Sequence, residues 1–284
     1  MNTTRTNVLL SALLVGLAGS AGAQEEAGSD HGPGYTLSLK AWNASWATTM
    51  AGLYSGVTPA GTPQLIEALD SVDGKRKTSV IPSFSVAKND FVVTVSHGRY
   101  ATDFLASTSV LAPTGANIAT SRRDHIKRKE SDLSVSYFVV PELAVSLAYK
   151  HATEERTTLL GLGGGWMPAI DNKARALLLG VSAVYPIRDN LSFTGQVAFG
   201  PARIKTRIAN PPQPETTNHS RYVISEIGVR YALPVRENGY ISEASIGLGY
   251  RSQLVRSKAA GPAGGQRIYR DEREGIVLSL NVSM

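Results

Sequence analysis

The chain contains no cysteine among its 284 residues. Disulfide bonds are therefore excluded, and so is a lipid anchor attached to an N-terminal cysteine. The chain also lacks any apolar run of the ~20 residues that a helix needs to span a bilayer. A helical membrane protein is thus disfavoured, and stability has to come from hydrogen bonds and packing.

The N-terminus has the pattern of a cleavable secretory signal. One basic residue, Arg5, precedes the apolar run VLLSALLVGLA, and the small residues Ala21 and Ala23 follow it. The run is only about half as long as a spanning helix, which is typical of the apolar part of a signal peptide. We expect residues 1–23 to be removed after secretion.

The formal net charge of the chain is +6 at pH 7. A basic balance can indicate binding to nucleic acid, but a secreted chain rarely meets nucleic acid. An acidic surface, such as the phosphate groups of lipopolysaccharide, fits better. We therefore expect no nucleic-acid partner.

Apolar residues recur with period two in ten segments, a pattern typical of half-buried β-strands. Most segments are close to the length of about 9–11 residues that a tilted strand needs to cross a bilayer. The approximate segments are 35–46, 77–87, 91–103, 131–140, 142–152, 174–185, 191–202, 221–232, 240–253 and 275–284.

The last segment, GIVLSLNVSM, shows the alternation clearly. In a soluble protein its apolar face would lie in a core, whereas in a closed membrane barrel the same face contacts lipid. The apolar face consists of Ile276, Leu278, Leu280, Val282 and Met284. Tyrosines that would form aromatic girdles at the membrane surfaces are Tyr35, Tyr137, Tyr149, Tyr185, Tyr231 and Tyr250.

Short and long connections alternate between the segments. The short ones carry the Pro, Asn and Asp residues that tight turns use, and they lie at 87–90, 140–143, 186–190 and 233–238. The long ones lie roughly at 47–76, 104–130, 153–173, 203–220 and 254–274. Every short turn is thus expected at one end of the sheet and every long loop at the other, as in an outer-membrane barrel.

Taken together, the signal, the even number of segments, the alternating connections and the terminal strand resemble the monomeric outer-membrane β-barrel proteins of Gram-negative bacteria. The resemblance covers the mature chain and singles out no specific family. It implies an all-β fold, a closed antiparallel transmembrane β-barrel of about ten strands, within a range of about 8 to 12. The expected regions are a signal peptide at 1–23, a periplasmic segment at 24–34 and the barrel at 35–284.

The resemblance also implies an outer-membrane location and a partner for the last strand. In this class the final strand is an assembly signal for the barrel-assembly machinery and usually ends in an aromatic residue. Met284 stands at that position here. The partners expected are outer-membrane lipid, lipopolysaccharide and the assembly machinery, with the protein a monomer.

Several charged residues have the parity of the interior face. A hairpin of the eighth and ninth segments would bring Arg230 near Glu243, where the two can pair. Ten strands leave at most a narrow pore, so we expect a plugged interior, with a narrow passive channel for small solutes as the alternative. The predicted interior charges are Lys40, Lys150, Glu226, Arg230, Glu243 and Arg251.

Basic residues are concentrated where the extracellular side is predicted. Residues 105–130 hold five basic residues against two acidic ones. Outward parity places His97 and Arg99 near the top of the third strand, where an anionic lipid headgroup would offset an exposed charge. The candidate contacts to lipopolysaccharide are His97, Arg99, Arg122, Arg123, Lys127, Arg128 and Lys129.

No motif indicates a catalytic, cofactor or metal site. GLGGGW at 161–166 lacks the Lys and Ser or Thr of a phosphate-binding loop, and the five histidines have no ligand spacing. Thr62 and Pro63 are plausible first residues of a short helix in the first long loop. We expect a non-enzymatic structural or surface-interaction protein.

An outer-membrane hydrolase is the remaining alternative. A protease would need an Asp and a His near the barrel rim, for which Asp124 and His125 are the candidates. A lipase or deacylase could use Ser96 and His97. In both pairs the residues are sequence neighbours, so their side chains would diverge on a strand.

Overall fold

The computed structural model describes residues 33–57, 63–111, 117–160, 166–208, 214–235, 240–260 and 266–284. Side chains are described for residues 33–48, 73–105, 123–157, 170–207, 214–235, 240–257 and 270–284. Within these ranges no helix is long and apolar enough to cross a membrane. The predicted signal at 1–23 and the glycine-rich residues 161–165 lie outside the described residues.

Ten antiparallel strands form one sheet. Among the tight turns, the one between the second and third strands places Asn89 in the left-handed region with φ 52°, a conformation that asparagine tolerates. The strands are β1 (Gly34–Val57), β2 (Pro63–Lys88), β3 (Phe91–Leu111), β4 (Asn117–Val140), β5 (Leu143–Leu160), β6 (Trp166–Arg188), β7 (Leu191–Ile208), β8 (Thr216–Leu233), β9 (Glu243–Ala260) and β10 (Gln266–Ser283).

The sheet closes on itself because β1 pairs with β10. Beyond the ladder, the amide of Tyr35 donates to the carbonyl of Met284 at 3.0 Å, and the amide of Met284 donates back at 2.8 Å. Closure leaves no free edge, which a sheet in lipid requires because unpaired backbone groups there cost several kcal/mol. The predicted closed barrel of ten strands is confirmed.

The predicted long loops are wrong over most of their length. Strands of 18 to 26 residues replace segments of about half that length. The predicted helix at Pro63 is part of β2, paired with Val57 of β1. Apolar alternation stops where a strand leaves the bilayer, because the outward face becomes largely polar and the inner face mixes charged with apolar residues. The sequence pattern there is therefore typical of a loop. The hydrogen-bonded wall continues well beyond the membrane.

The lipid-facing residues form a band next to the short turns. We call this band the apolar belt; above it the outward residues become polar. The predicted face of β10 lies in it, with Ile276, Leu278, Leu280 and Met284 exposed and Val282 half-buried. Its other exposed members include Leu37, Leu39, Val80, Phe84, Phe91, Val93, Val95, Leu133, Val135, Val145, Leu147, Leu177, Leu179, Phe193, Phe199, Ile227, Val229, Ile246 and Leu248.

All six predicted girdle tyrosines point outward and are exposed. Four of them lie near the short-turn end: Tyr35, Tyr137, Tyr185 and Tyr231. Tyr149 and Tyr250 lie higher, at the upper edge of the apolar belt. Amphipathic rings at both edges are typical of a membrane-embedded barrel.

The interior is packed with side chains. One apolar cluster joins β1 to β3 from inside, through edge-to-face contacts of Trp42 with Tyr100 and of Trp46 with Phe104. A second cluster lies against β6 to β9 and includes Leu178. Between them run charged and polar side chains, most of which are paired.

Candidate functional site

A ring of basic side chains lies on the outer surface directly above the apolar belt. Adjacent positions along the ladders from β3 to β8 form two outward rows, in which every residue is basic, Ser or Thr and none is acidic. We call the basic members the basic collar: His97, Arg99, Lys129, His151, Lys173, Arg175, Arg203, Lys205 and His219.

Like charges lie directly opposite each other within the basic collar. Arg175 is the register partner of Arg203, and Lys173 is that of Lys205. On the neighbouring ladder Arg99 is opposite Lys129. Directly opposed like charges destabilise a sheet, so an anion near these pairs would relieve their repulsion.

The protein itself supplies little of that negative charge. Lys205 pairs with Glu215 at 2.6 Å, while Arg99 Nε contacts His97 Nε2 at 3.4 Å. Among the residues with described side chains, no ion pair reaches Lys129, Lys173, Arg175 or Arg203. These cations face outward and are exposed.

The structure places the candidate lipopolysaccharide contacts at three different positions. His97, Arg99 and Lys129 belong to the basic collar, and Arg123 and Lys127 point outward further above the belt. The side chain of Arg122 lies outside the described residues. The assignment of Arg128 is wrong, as described next.

Arg128 points into the barrel and is 4% exposed. Its guanidinium pairs with Glu130 at 2.7 Å and also with Asp271. A residue of even number in β4 faces the interior, so the run SRRDHIKRKE is divided between the two faces of a strand. A long loop at this position would instead expose all the charges of this run.

Sequence reasoning missed six members of the basic collar: His151, Lys173, Arg175, Arg203, Lys205 and His219. Four of the six, Lys173, Arg203, Lys205 and His219, lie in segments predicted as long loops. A signal was present, because Arg175 and Arg203 are almost equidistant from the turn at 189–190, and equal counts from a hairpin turn bring residues opposite each other.

The six predicted interior charges all lie on the inner face, in three groups. Glu226 pairs with Lys40 at 2.8 Å and with Arg251 at 2.9 Å. Nearer the short turns, Arg230 pairs with Glu243 at 3.0 Å. The sixth charge, Lys150, belongs to a larger network.

That network crosses the lumen. Glu130 of β4 contacts Lys150 of β5 at 2.9 Å and Arg273 of β10, and β4 lies four strands from β10 around the ring. Arg128 reaches Asp271 across the same gap. All five of these side chains are buried. They belong to a network that crosses the middle of the barrel and that we call the lumen network (Arg128, Glu130, Asp132, Lys150, Glu154, Asp271 and Arg273).

Aromatic rings flank the lumen network. The guanidinium of Arg273 lies 4.1 Å from the ring centre of Tyr100 and 5.2 Å from that of Trp42. Cations at such distances from an aromatic face are attracted by the ring quadrupole. Arg273 is therefore held by both acids and rings.

The two candidate catalytic pairs are each split between opposite faces. Asp124 is buried inside and pairs with Arg156 at 3.1 Å, whereas His125 points outward and pairs with Asp103 at 2.7 Å. This hydrogen bond from His125 lowers the pKa of Asp103. Ser96 faces the interior and His97 the exterior. Among the described residues, no cluster of His, Asp or Glu could hold a metal ion.

Comparisons with known proteins bear on the fold alone. No protein family and no curated protein matches the sequence. Solved structures similar in fold include the outer membrane protease OmpT of Escherichia coli, 11% identical with a TM-score of 0.48, covering 88% of this chain and 95% of that one. A FadL homologue of Pseudomonas aeruginosa is 11% identical, with a TM-score of 0.33 and coverages of 88% and 90%.

Neisserial surface protein A is 12% identical to this chain, with a TM-score of 0.30 and coverages of 89% and 99%. All three are Gram-negative outer-membrane β-barrels. The chain is similar to them in being a closed antiparallel barrel.

Proposed function

We propose that this protein is an integral outer-membrane barrel with a non-enzymatic, structural or surface-interaction role, whose basic collar binds the phosphate groups of lipopolysaccharide. The observation that carries the proposal is the direct opposition of Arg175 to Arg203 and of Lys173 to Lys205. Like-charged pairs of this kind are stabilised when an anion lies between them.

The height of the basic collar supports a lipid as the source of that anion. On β6 the apolar belt ends at Leu177, and Arg175 is the next outward residue. On β3 the belt ends at Val95, and His97 follows. Charged headgroups of a bilayer lie at this level, immediately outside the hydrocarbon.

The proposal includes an interior that is closed to solutes along the barrel axis. Support comes from the lumen network, in which Glu130 and Arg273 join opposite walls through buried side chains. The network combines acids and bases, so its charges compensate one another. A narrow passive channel is the alternative, and planar-bilayer recording distinguishes the two.

The non-enzymatic part of the proposal rests on the separation of the candidate pairs. Asp124 and His125 have different partners on different faces, at 3.1 Å and 2.7 Å respectively. General acid–base catalysis needs both groups within reach of one substrate atom.

We also propose that the apolar face of β10, from Ile276 to Met284, is the signal that the barrel-assembly machinery recognises.

The test is binding of lipopolysaccharide to the purified protein in detergent. The variant Arg175→Glu/Arg203→Glu places two acids at the centre of the basic collar. We expect its affinity for lipopolysaccharide to fall at least tenfold, and wild-type affinity to weaken as salt is raised. Dephosphorylated lipopolysaccharide should bind wild type as weakly as the intact form binds the variant.

The matched control is Lys88→Glu/Arg188→Glu. It makes the same charge change on exposed residues near the short-turn end, and we expect wild-type affinity. Equal binding by wild type and the collar variant would contradict the proposal, as would an equal loss in the control.

A further inference from the structure

The hydrogen-bond ladder between β2 and β3 is interrupted near the top of the apolar belt. Pairing stops at Ser83↔Ser96, and above that point the described strands form only one further pair, Gly74↔Phe104. Both strands keep their other neighbours, since β2 stays paired with β1 and β3 with β4. We call the interrupted interval the β2–β3 gap, comprising residues 75–82 and 97–103.

This is the longest break among the described ladders. Elsewhere the register shifts by single residues, as between Arg156 and Thr157. The β6–β7 ladder skips only the positions between Ala176 and Leu179. One side chain bridges the gap, because Thr102 Oγ1 donates to the carbonyl of Lys75 at 2.8 Å.

The lower end of the gap lies at membrane depth. Val80 and Pro82 point outward there and are exposed, and Pro82 has no N–H to donate. Unpaired backbone groups facing lipid cost several kcal/mol each, and irregular backbone at this depth is tolerated where it lines a water-filled cavity. The interior side of the gap should therefore hold such a cavity.

A cavity of about 130 Å³ does lie there. Residues from both flanking strands line it, among them Ile81, Ser83, Ser96, Gly98 and Tyr100. Its size is close to that of an engineered cavity of ~150 Å³ that accommodates benzene. The cavity thus has room for a molecule of about one aromatic ring.

The charges on the cavity wall are already compensated. Lys40 pairs with Glu226 at 2.8 Å, and Lys150 pairs with Asp132 at 2.7 Å. An ion entering the cavity would lose hydration without gaining a free counter-charge. The cavity therefore favours an uncharged occupant.

The two walls of the cavity differ in polarity. Hydroxyl groups line the side of β2 to β4, from Ser83, Ser85, Thr94, Ser96 and Ser134. Inward-facing aliphatic side chains line the side of β6 to β8, from Leu178, Ala198 and Ile224. Such a site suits an amphiphile that presents a hydroxyl to one wall and a ring to the other.

Tyr100 covers the opening from inside. A Cβ atom on Gly98 would lie 2.8 Å from Tyr100 Oη, so the phenol ring lies over the one position in the gap that lacks a side chain. The ring contacts Trp42 edge-on, with centres 5.8 Å apart. Rotation of this side chain would expose the backbone of Gly98.

We propose that the β2–β3 gap is a lateral entrance through which a small, uncharged amphiphile, phenol-like in size, passes from the outer leaflet into the cavity, with Tyr100 as its cover. The route differs from an axial channel, because three members of the lumen network, Glu130, Asp132 and Lys150, form part of the cavity wall. Its occupant comes from the membrane rather than from bulk water.

Single cysteines can report this access, since the chain has none of its own. Ser96→Cys lies in the cavity beside the gap. Ser182→Cys is the control for a continuous ladder. Ser182 is buried inside the barrel and is paired with Ala144 of β5, whereas Ser96 is half-buried at the edge of the gap. In liposomes, N-phenylmaleimide should label Ser96→Cys at least tenfold faster than Ser182→Cys.

Two further reagents identify the route. A charged methanethiosulfonate should leave Ser96→Cys unlabelled, whereas efficient labelling by it would overturn the lateral route in favour of a water path. N-ethylmaleimide partitions less into lipid than N-phenylmaleimide does. When the labelling rate of Ser96→Cys is divided by the reagent's rate with a free thiol in solution, the ratio should be lower for N-ethylmaleimide. Phenol should slow the labelling of Ser96→Cys, and a rate unchanged at saturating phenol would overturn the choice of occupant.

The cover is tested by two changes at one position in the Ser96→Cys background. Tyr100→Ala removes the ring and should speed labelling several-fold, while Tyr100→Phe keeps the ring and should leave the rate unchanged. Folding of each variant is checked by its heat-modifiable migration in gels. If Tyr100→Ala folds and its labelling rate equals that of Tyr100→Phe, the role of Tyr100 is wrong.

Discussion

Glu130 and Glu154 contact the same guanidinium, that of Arg128, from neighbouring strands. Glu130 lies 2.7 Å from Arg128 Nε and has two further cationic partners, Lys150 and Arg273. Glu154 lies 3.5 Å from Arg128 Nη1, and its other hydrogen bond comes from the uncharged Asn172 at 3.0 Å. Two buried carboxylates in one network are thus compensated to different extents.

Neutralising these two acids should have unequal effects on stability. Glu130→Gln leaves three buried cations short of an acid and should lower the free energy of unfolding by about 3–5 kcal/mol. Glu154→Gln keeps a hydrogen-bonding group where little charge compensation is lost, and should cost less than ~1 kcal/mol. Urea unfolding in detergent micelles, followed by tryptophan fluorescence, measures both. Equal losses would show that the lumen network does not depend on Glu130.

The same contrast predicts a dependence on pH. Glu154 lies above the apolar belt, and burial raises its pKa from the ordinary value of 4.5, with Arg128 opposing and Asp271 adding to the rise. The folded protein therefore binds this proton more tightly than the unfolded protein does. The protonated carboxyl group of Glu154 adds to the free energy of unfolding below pH 4.5, and this stabilisation is lost as pH rises through the folded pKa. Urea midpoints of wild type and Glu154→Gln, measured in steps upward from about pH 4, should diverge, with the variant gaining at high pH. Parallel curves would contradict the raised pKa.

Removing Arg273 should open the lumen to ions. In planar bilayers we expect no steady stepwise conductance from wild type, because we propose that the lumen network closes the barrel to solutes. Arg273→Ala deletes the side chain that contacts Glu130, Trp42 and Tyr100, and should produce discrete current steps. Arg256→Ala, which changes an exposed outward arginine of β9, is the control and should stay silent. Steps from wild type would favour the channel alternative.

A charge placed within the apolar belt should obstruct membrane insertion. Leu278 is 57% exposed in the middle of the β10 face, and an arginine there should cost ~2–4 kcal/mol. Glu274→Arg, on the same face of β10 but above the belt, should cost about 0–1 kcal/mol. Folding yields in liposomes of one lipid composition compare the two. A similar yield from both variants would mean that this face does not contact lipid.

Local patterns in the sequence were sufficient to predict the barrel itself. Alternation over 275–284 located the lipid face of β10, and the Asp and Asn residues at 189–190 located a turn. Counting outward from a turn also predicted that Arg230 would lie near Glu243, and the two are 3.0 Å apart. Each of these inferences needs only residues that are close in the sequence.

The lumen network could not be predicted in the same way. Glu130 and Arg273 are 143 residues apart in the sequence, and their contact depends on how far the strands shift relative to one another around the whole barrel. Strand ends above the membrane were missed for a different reason. There the outward face is largely polar, and the buried inner face holds charged residues such as Asp124 beside apolar ones such as Ile126. Hydropathy therefore does not distinguish a paired strand from a loop.

The length of the strands has a consequence for engineering the protein. Hydropathy would mark the stretch around Lys127 as a permissive surface loop. Lys127 is in fact paired with Ala101 on one side and with Glu155 on the other, so an inserted residue there would shift the register of both ladders. Epitope tags and fused peptides should therefore be placed only between strand ends, such as between Leu111 and Asn117. The extracellular part of the protein therefore offers few positions for display, because most of its length is hydrogen-bonded strand.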